Sequence, residues 1–542
     1  MEKLSRFLLK LSIVGFSLFV FTMATSAQQD VDILVQSSAI RGAANGIIFS
    51  ADDQLYIASV TSSTITVIDP ETGEILKQYG VEDGVIGPDD LVFGPDGSLF
   101  WTGIMNGQVG RITPDGESTI IAQLPPGSNP ITFSDDGRLF VSLCFLGEAL
   151  YEVDPNGEEG PRLIADELGG CGLNGMDWGP DGFLYGPRWF FGTVARVDVD
   201  NSEFTVVADE FGTPAAVKFD SQGRLHVLDT LSGEIVRVNM ETGEKEVVTT
   251  EVFGGDNLAF DSEDRLYVSN FGNGSIVEIL SDGSTRTVVP GGLAFPGGLE
   301  VVGDSLFVGN ILSFAEIDRQ TGEMLSTEID IIGFGELGTV FTVGSAGENL
   351  VLTGWFSNSV RVWNPETREV IVGYDDFNVP INAIGFQGEI VVAELGTGSV
   401  VQTQNDERIT LVSDMVVPSG LLASNDSLWV GDWATGTIWQ IVADGELLTE
   451  PVAIVTDLAF PEGLALNTDG NMLVVETGTQ SLLSVNLESG EISTVAIDLD
   501  LGVPAPLEDA VPTWSFNDVT VSSDGKIYVS GDIANVIYTI ER

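Results

Sequence analysis

The sequence contains little of what several common chemistries require. Among its 542 residues there are one histidine, His226, two cysteines, and 22 Lys or Arg against 81 Asp or Glu. A zinc site built on histidines needs two or more imidazoles, so this chemistry is excluded. The formal net charge of −59 repels nucleic acid and anionic lipid, because binding to either depends on cations that neutralise phosphate. We therefore expect no nucleic-acid partner.

Long hydrophobic runs are also missing, except for one near the N-terminus. Residues 11–24 are apolar, follow three cations and precede the small residues 25–27, which is the layout of a secretory signal peptide. The run is shorter than the ~20 residues of a membrane-spanning helix. We expect residues 1–27 to be removed, and the mature protein to be exported, periplasmic or secreted, without a transmembrane segment.

A repeated phrase is present throughout the rest of the chain. It combines an aromatic or apolar residue, a turn rich in Asp and Gly, and a second apolar pair. Clear copies are FSADDQLY (49–56), FGPDGSLF (93–100), FSDDGRLF (133–140), WGPDGFLY (178–185), FDSQGRLH (219–226), FDSEDRLY (260–267), LNTDGNML (466–473) and VSSDGKIY (521–528). A second turn phrase follows about half a period later, as in DPETGE (69–74), NMETGE (239–244), DRQTGE (318–323) and NLESGE (486–491).

Both phrases are hairpin signals between short apolar strands. Two hairpins per unit give four strands, and twelve units of about 42 residues predict an all-β protein of twelve four-stranded antiparallel propeller blades. One ring of twelve and two tandem rings of six both fit the repeat, and two rings are favoured because propellers usually have 4–8 blades. The predicted domains are residues 28–281 and 282–542. In this arrangement strand 33–36 closes the sixth blade and strand 285–289 closes the twelfth.

The first residue of each blade's innermost strand should lie at the mouth of a central channel. In the first ring these residues are Asn45, Asp89, Asn129, Asn174, Ala215 and Asp256, and in the second Gly297, Thr339, Asn382, Ser419, Glu462 and Asn517. Convergent Asn and Asp oxygens suit a hard cation, Ca²⁺ first and Mg²⁺ second. The predicted metal ligands are therefore Asn45, Asp89, Asn129, Asn174 and Asp256, with Asn382, Glu462 and Asn517 as a second candidate set. The alternative is that Asn and Asp only cap the turn that precedes the strand.

The repeats from about residue 45 to 542, above all GCGLNGMDWGPDGFLYGPRWF at 170–190, resemble the SMP-30/gluconolactonase/LRE-like superfamily of six-bladed propellers, with NHL- and strictosidine-synthase-like relatives. This resemblance implies a metal held by Glu, Asn, Asn and a catalytic Asp. Asn129 and Asn174 match the two Asn, whereas Asn45 replaces the Glu and Ala215 the catalytic Asp. Asp89 and Asp256 would then have to supply the missing charge.

The two cysteines and a cluster of aromatic residues fall on the loop face that carries the first mouth. Cys144 ends the second strand of the third blade and Cys171 lies in the connection that enters the fourth. Adjacent blades bring them close on one face, so we expect a disulfide bond between them. Arg188, Trp189 and Phe190 follow in the neighbouring loop and would form the rim of a ligand pocket. The alternative is that these residues pack between blades.

Two functions fit these features. The first is a binding module for a small-molecule or protein ligand on the loop face, with a cation at the channel mouth. The second is a calcium-dependent hydrolase of lactones or esters, in which Asp89 or Asp256 acts as the general base. A Pro-rich insertion at 501–514 lengthens the connection before the last blade and should lean over the second mouth, although it could equally be filler.

Overall fold

The computed structural model describes residues 29–40, 42–332, 334–404, 407–505 and 511–541, so the predicted leader lies outside the described residues. The described chain forms twelve four-stranded antiparallel sheets, which confirms the predicted all-β fold of twelve blades. Helical structure in these ranges is limited to three 3₁₀ turns, at Val81–Asp83, Trp189–Phe191 and Thr477–Thr479. None of the described helices is long and apolar enough to cross a membrane.

The chain divides into two compact units, of which the first is Ser38–Gly292. We call it the first propeller. Its six blades have the strand bounds β2 Ile47–Phe49, β3 Leu55–Ser59, β4 Thr64–Ile68, β5 Ile75–Tyr79; β6 Pro88–Phe93, β7 Leu99–Gly103, β8 Gln108–Ile112, β9 Ser118–Gln123; β10 Ser128–Phe133, β11 Leu139–Leu143, β12 Leu150–Val153, β13 Arg162–Ala165; β14 Asp177–Trp178, β15 Leu184–Arg188, β16 Thr193–Asp198, β17 Glu203–Ala208; β18 Pro214–Phe219, β19 Leu225–Asp229, β20 Glu234–Val238, β21 Lys245–Thr249; β22 Gly255–Phe260, β23 Leu266–Asn270, β24 Ile276–Ile279, β25 Thr285–Val289.

The second unit, called the second propeller, joins the residues up to Ser37 with those from Leu293 onward. Its strands are β1 Val31–Val35; β26 Leu299–Val302, β27 Ser305–Asn310, β28 Ser313–Asp318, β29 Met324–Ile329; β30 Thr342–Ala346, β31 Asn349–Gly354, β32 Ser359–Asn364, β33 Glu369–Tyr374; β34 Pro380–Phe386, β35 Glu389–Glu394, β36 Ser399–Gln404, β37 Glu407–Val412; β38 Pro418–Ser424, β39 Ser427–Asp432, β40 Thr437–Ala443, β41 Glu446–Val455; β42 Pro461–Leu466, β43 Met472–Glu476, β44 Ser481–Val485, β45 Ile492–Ala496; β46 Val519–Val521, β47 Ile527–Gly531, β48 Val536–Ile540.

The closing strands differ from the sequence prediction, which was wrong on this point. Strand β1 pairs with β48 and completes the twelfth blade, and β25 pairs with β24 within the sixth blade. The first propeller is therefore built from one continuous segment, and only the second needs a strand from the other end of the chain. The boundary consequently falls at 292/293 rather than at 281/282.

The two repeated phrases form the turns expected of them. In the first, Gly97 adopts a φ of 81° and donates a backbone hydrogen bond to Gly94, while Asp96 accepts one from the Ser98 amide. In the second, one Asp69 oxygen accepts hydrogen bonds from the amides of Glu71 and Thr72. Short side chains that hydrogen-bond the nearby backbone and a glycine at positive φ are what such tight turns require.

Hydrophobic cores form between neighbouring blades. Between the first two blades, for example, Ile65 and Val67 pack with Leu99 and the fully buried Trp101. Around the closing strand of the second propeller, Val35 packs with residues of its first and last blades, namely Leu299, Leu306, Val308, Tyr528 and Ile537. Each blade thus depends on both of its neighbours for burial.

Substitution on β1 tests its pairing in the second propeller. Val35 is 8% exposed and Ile33 is 44% exposed. A β-bulge between them pairs Ile33 with Tyr538 and Val35 with Ile537, so their side chains lie on opposite faces of the sheet. We expect Val35→Asp to destabilise the second propeller by about 3 kcal/mol, because it buries a carboxylate without a partner. Ile33→Asp should be nearly neutral. Limited proteolysis with mapping of the cleavage sites would measure this, and cuts within 38–292 of the Val35→Asp protein would contradict the pairing.

Candidate functional site

The mouth of the first channel is formed by six residues at equivalent strand positions. Each lies four residues before the aromatic residue that pairs with the first residue of the next strand. These six residues are Asn45, Asp89, Asn129, Asn174, Ala215 and Asp256. Five are buried and Asp256 is half-buried. The structure therefore brings the predicted first-ring residues to one level of the propeller.

Hydrogen bonds between blades hold this level together. The Thr102 hydroxyl of the second blade donates to the Asn129 carbonyl of the third, and Ser269 of the sixth blade donates to the Asn45 carbonyl of the first. A Ser or Thr near the end of the second strand of a blade thereby fixes the start of the next blade. The backbone positions at the mouth are consequently set by buried contacts rather than by loops.

Two carboxylates dominate the mouth. The Asn45 amide donates to Asp256 at 3.0 Å, and its own oxygen accepts from the Val60 amide at 3.1 Å. Asp89 is 6% exposed, and no described residue donates a hydrogen bond to its carboxylate. Asp89 is therefore a buried acid whose carboxylate has no hydrogen-bond donor among the described residues.

Burial and charge repulsion shift the titration of both acids. Burial, the charge of Asp256 and that of Asp90 raise the pKa of Asp89 well above its usual range. Burial raises the pKa of Asp256 to about 7, against the opposing effect of the Asn45 hydrogen bond. Two acids so placed cannot both ionise easily unless a positive charge joins them.

In the layer below the mouth, a lysine of the protein, Lys218, provides a positive charge near two buried acids. Asp90 accepts hydrogen bonds from the Ile131 amide at 3.1 Å and from the Asn257 amide group at 3.0 Å. Burial raises the pKa of Asp90 and that of Asp177, and the charge of Lys218 lowers both. The Lys218 Nζ lies 3.5 Å from the Met176 carbonyl oxygen. Lys218 thus partly offsets the cost of burying these two acids, an arrangement that the sequence did not predict.

The remaining first-ring residues contribute less charge. Asn174 turns its side-chain oxygen to the Gly175 amide at 3.1 Å, no described residue donates to the Asn129 side chain, and Ala215 is completely buried. Among the described residues, no group of three or more His, Cys, Asp or Glu side chains is suited to holding a metal. A cation at this mouth would therefore rely on two carboxylates, amide oxygens and water.

The second mouth differs from its prediction in register. Counting from the strand pairing, the residues equivalent to Gly297 include Phe341 and Ile381. The predicted Thr339 therefore lies two residues too early, and Asn382 lies one residue deeper in the channel. The prediction failed because the connections before these strands differ in length from blade to blade.

Glu462 and Asn517 do lie at the second mouth, where protein groups occupy their polar atoms. Glu462 accepts hydrogen bonds from the Trp433 indole at 3.1 Å and from the Asn517 backbone amide. The Asn517 side chain accepts from the Gly502 amide at 2.9 Å and donates to the Ser530 carbonyl at 3.1 Å. Glu462 and Asn517 therefore make structural hydrogen bonds at this mouth.

The described ends of the 501–514 insertion lie over this mouth. The Gly502 amide binds both Asn517 and Asp532, and the Trp514 carbonyl accepts a hydrogen bond from the Trp355 indole at 3.2 Å. Trp355 belongs to the second blade of this propeller, whereas Trp514 precedes the sixth. The insertion thus reaches across the ring from one blade to another.

The residues predicted on the loop face differ in what the structure shows for them. Cys144 and Cys171 form the predicted disulfide bond. Trp189 is 2% exposed and packs edge-on to Phe145, so it belongs to the loop core, while Phe190 is 41% exposed. Arg188 donates to the Leu168 carbonyl at 2.7 Å and its guanidinium lies over the Phe191 ring. Phe190 and Phe191 therefore provide the exposed part of the rim.

His226 has the structural environment expected of a lone histidine. It is 5% exposed, its Nδ1 lies 3.1 Å from the Arg224 carbonyl oxygen, and its ring packs against Phe260. Burial lowers its pKa.

No protein-family model matches the chain, and no curated protein is similar to it in sequence. Among solved structures, virginiamycin B lyase from Staphylococcus aureus is 16% identical, covering 52% of this chain and 96% of its own, with a TM-score of 0.38. The extracellular domain of a putative one-component system from B. thetaiotaomicron is 10% identical, covering 93% of this chain and 76% of its own, with a TM-score of 0.33. The β-propeller fold is established here by the strand order, and the finer resemblance to the SMP-30 superfamily stays a prediction.

The raised pKa of Asp256 predicts a pH-dependent stability. Between the unfolded value near 3.9 and about 7, the folded protein binds more protons than the unfolded chain, so the free energy of unfolding falls as pH rises. In the presence of a chelator, the Asp256→Asn protein should lose less stability between pH 5 and pH 8 than the wild type does, by about 2 kcal/mol, because its amide does not titrate. The measurement is denaturant unfolding at both pH values.

Asp135→Asn serves as the matched control, because Asp135 is exposed in a turn and makes no described hydrogen bond. An equal effect of both substitutions would mean that the loss reflects the overall negative charge and not the acids at the mouth.

Proposed function

We propose that this protein is an exported binding module whose first propeller holds a Ca²⁺ ion at its channel mouth. The observation that carries the proposal is the pair Asp89 and Asp256, two mouth acids close enough for Asp256 to raise the pKa of Asp89. Their only hydrogen-bond donor among the described side chains is Asn45. A divalent cation would supply the positive charge that this level lacks.

The ligand set that supports this proposal is narrower than the five residues predicted. Asp89, Asp256 and the Asn129 side chain have oxygen atoms that no described backbone amide occupies. Asn45 would act mainly as a positioning residue, because its oxygen is held by Val60 and its nitrogen orients Asp256. Asn174 keeps only one lone pair free, since it accepts from Gly175. Ca²⁺ usually takes 6–8 oxygen ligands, so water or a bound ligand would complete the shell.

The open positions of such an ion indicate what the module would bind. A ligand with a carboxylate or hydroxyl group could coordinate the ion and place an apolar part on the loop face. Phe190 and Phe191, which are 41% and 51% exposed, offer an apolar surface on that face. Both a small molecule and a protein side chain have this chemistry, and the disulfide and the leader-like N-terminus support an extracytoplasmic setting.

Calcium titration by calorimetry on the mature protein tests the proposal. We expect Asp89→Asn and Asp256→Asn each to weaken Ca²⁺ binding at the first mouth by at least about tenfold, because ligand charge sets calcium affinity. In saturating Ca²⁺, Asp256→Asn should destabilise the protein, the reverse of its effect in chelator.

Asp135→Asn controls for ions gathered by the acidic surface. If Asp89→Asn and Asp256→Asn titrate like Asp135→Asn, the first mouth holds no calcium and the proposal is wrong.

The pKa of Asp256 also favours a second candidate, a calcium-dependent hydrolase. A general base works best when its pKa lies near the working pH, and that of Asp256 is about 7. In this reaction Asp256 would take a proton from a water molecule as the water attacks a lactone or ester carbonyl. It would return this proton to the alcohol oxygen when the acyl C–O bond breaks, which leaves a carboxylic acid and an alcohol. Ala215, at the position where the resembling lactonases have their catalytic Asp, cannot act as a base.

A screen of lactones and aryl esters in Ca²⁺ distinguishes the two candidates. The hydrolase predicts turnover that falls by about 100-fold or more in Asp256→Asn. Turnover that is unchanged in Asp256→Asn would rule out Asp256 as the base. If the wild type binds Ca²⁺ but turns over none of these substrates, the binding module is the function that remains.

A further inference from the structure

The channel of the second propeller contains a cavity of about 260 Å³. Residues from all six innermost strands line it, so it lies on the axis of the ring. Its volume is large enough for several water molecules, each of which takes about 30 Å³ in the liquid. Polar atoms make up most of the surface that faces this cavity, and the polar side chains that line it are Glu300, Ser345, Asn382, Asp518 and Thr520.

Two acids in this cavity lie in neighbouring blades of the closed ring. Asp518 accepts hydrogen bonds from the Leu299 amide at 3.1 Å and the Val519 amide at 2.8 Å, which fix its carboxylate. Glu300 has the Thr520 hydroxyl 3.5 Å from one oxygen. Burial and the charge of Asp518 raise the pKa of Glu300 to about 8, and burial raises that of Asp518 to about 7.

No Lys or Arg lines this cavity among the described residues, in contrast to the first channel. There, Lys218 faces Asp90 and Asp177 and lowers the pKa of both acids. Ala465 has the same strand position in the second propeller that Lys218 has in the first. Lys218 directly precedes Phe219, and Ala465 directly precedes Leu466. Phe219 and Leu466 each pair with the first residue of the strand that follows. The second channel therefore has the buried acids without the internal cation.

An unpartnered amide faces the same space. Asn382 is 8% exposed and lines the cavity, yet no described residue hydrogen-bonds its side chain. A buried polar side chain without a partner is costly, and such groups normally bind water, an ion or a ligand. The Asn382 side chain therefore offers an oxygen ligand in the same cavity as the two carboxylates.

We infer that the second propeller binds a divalent cation inside its channel, held by Glu300, Asp518 and Asn382. This site differs from the proposed mouth site of the first propeller in position and residues, and it does not depend on that proposal. Two carboxylates, one amide oxygen and several waters match the all-oxygen coordination of Ca²⁺, with Mg²⁺ as the smaller competitor. The ion would replace the charge that Lys218 provides in the first channel.

Calorimetric Ca²⁺ titration of the mature protein tests this site with a pair of matched variants. Ala465→Lys places in the second channel the cation that the first channel has, and should abolish binding of one Ca²⁺ per chain. Ala465→Gln fills a similar volume without charge and should keep binding within about threefold of wild type. Glu300→Gln should weaken the same site by at least about tenfold.

The variants at the first mouth keep the two sites distinguishable. The Asp89→Asn protein should still bind the Ca²⁺ ion that the Ala465→Lys protein loses, whether or not this substitution weakens Ca²⁺ binding at the first mouth. Calcium should also protect residues 293–541 from proteolysis in the wild type and in Ala465→Gln, but not in Ala465→Lys. Unchanged titration of Glu300→Gln and Ala465→Lys would overturn the inference. An equal loss of Ca²⁺ binding in Ala465→Gln and Ala465→Lys would also overturn it, because the loss would then come from filling the cavity and not from the added charge.

Discussion

Each blade of this protein buries its hydrophobic faces only against the two blades beside it, so a propeller is complete only when its ring is closed. This constraint determines where the polar residues go. Once six innermost strands are forced to converge, whatever lies at their starts and on their axial faces meets at one place. Asp89 and Asp256 come from the second and sixth blades, and ring closure, rather than any local sequence, brings them to Asn45.

The two channels then solve the same electrostatic problem differently. Buried acids raise one another's pKa and destabilise the folded state when they ionise. In the first channel the inner acids Asp90 and Asp177 are partly compensated by Lys218, and the uncompensated pair lies at the mouth. In the second, the mouth acid Glu462 is held by the donors Trp433 and Asn517, and the uncompensated pair, Glu300 and Asp518, lies inside. In the second propeller, burial and the charge of Asp532 also raise the pKa of the mouth acid Glu462.

The sequence was sufficient for the features that depend on local chemistry. The turn phrases predicted the twelve blades because Asp, Asn and Gly are needed at fixed positions of each hairpin. The first-ring residues and the disulfide followed from the regular spacing. The closing strand could not be assigned, because β1 carries the same alternating pattern as any outer strand and its partner lies about 500 residues away. Thr339 and Asn382 were misplaced because connections vary in length, and Glu300 was missed because it lies within an otherwise apolar strand.

The discontinuous second propeller has a consequence for biosynthesis. Strand β1 emerges from the ribosome before the other 47 strands described here, while its partner Val536–Ile540 is the last of them to emerge. At about 5–20 residues per second, β1 waits on the order of half a minute or longer with its hydrogen-bonding edge unpaired. The first propeller needs nothing from outside Ser38–Gly292 and can finish folding during this interval. Its folding also shortens the chain that must close on β1, because 255 residues no longer count as flexible loop. The order of the two propellers in the sequence thus sets the order in which they can fold: the inserted first propeller can fold before the second propeller, whose sequence encloses it.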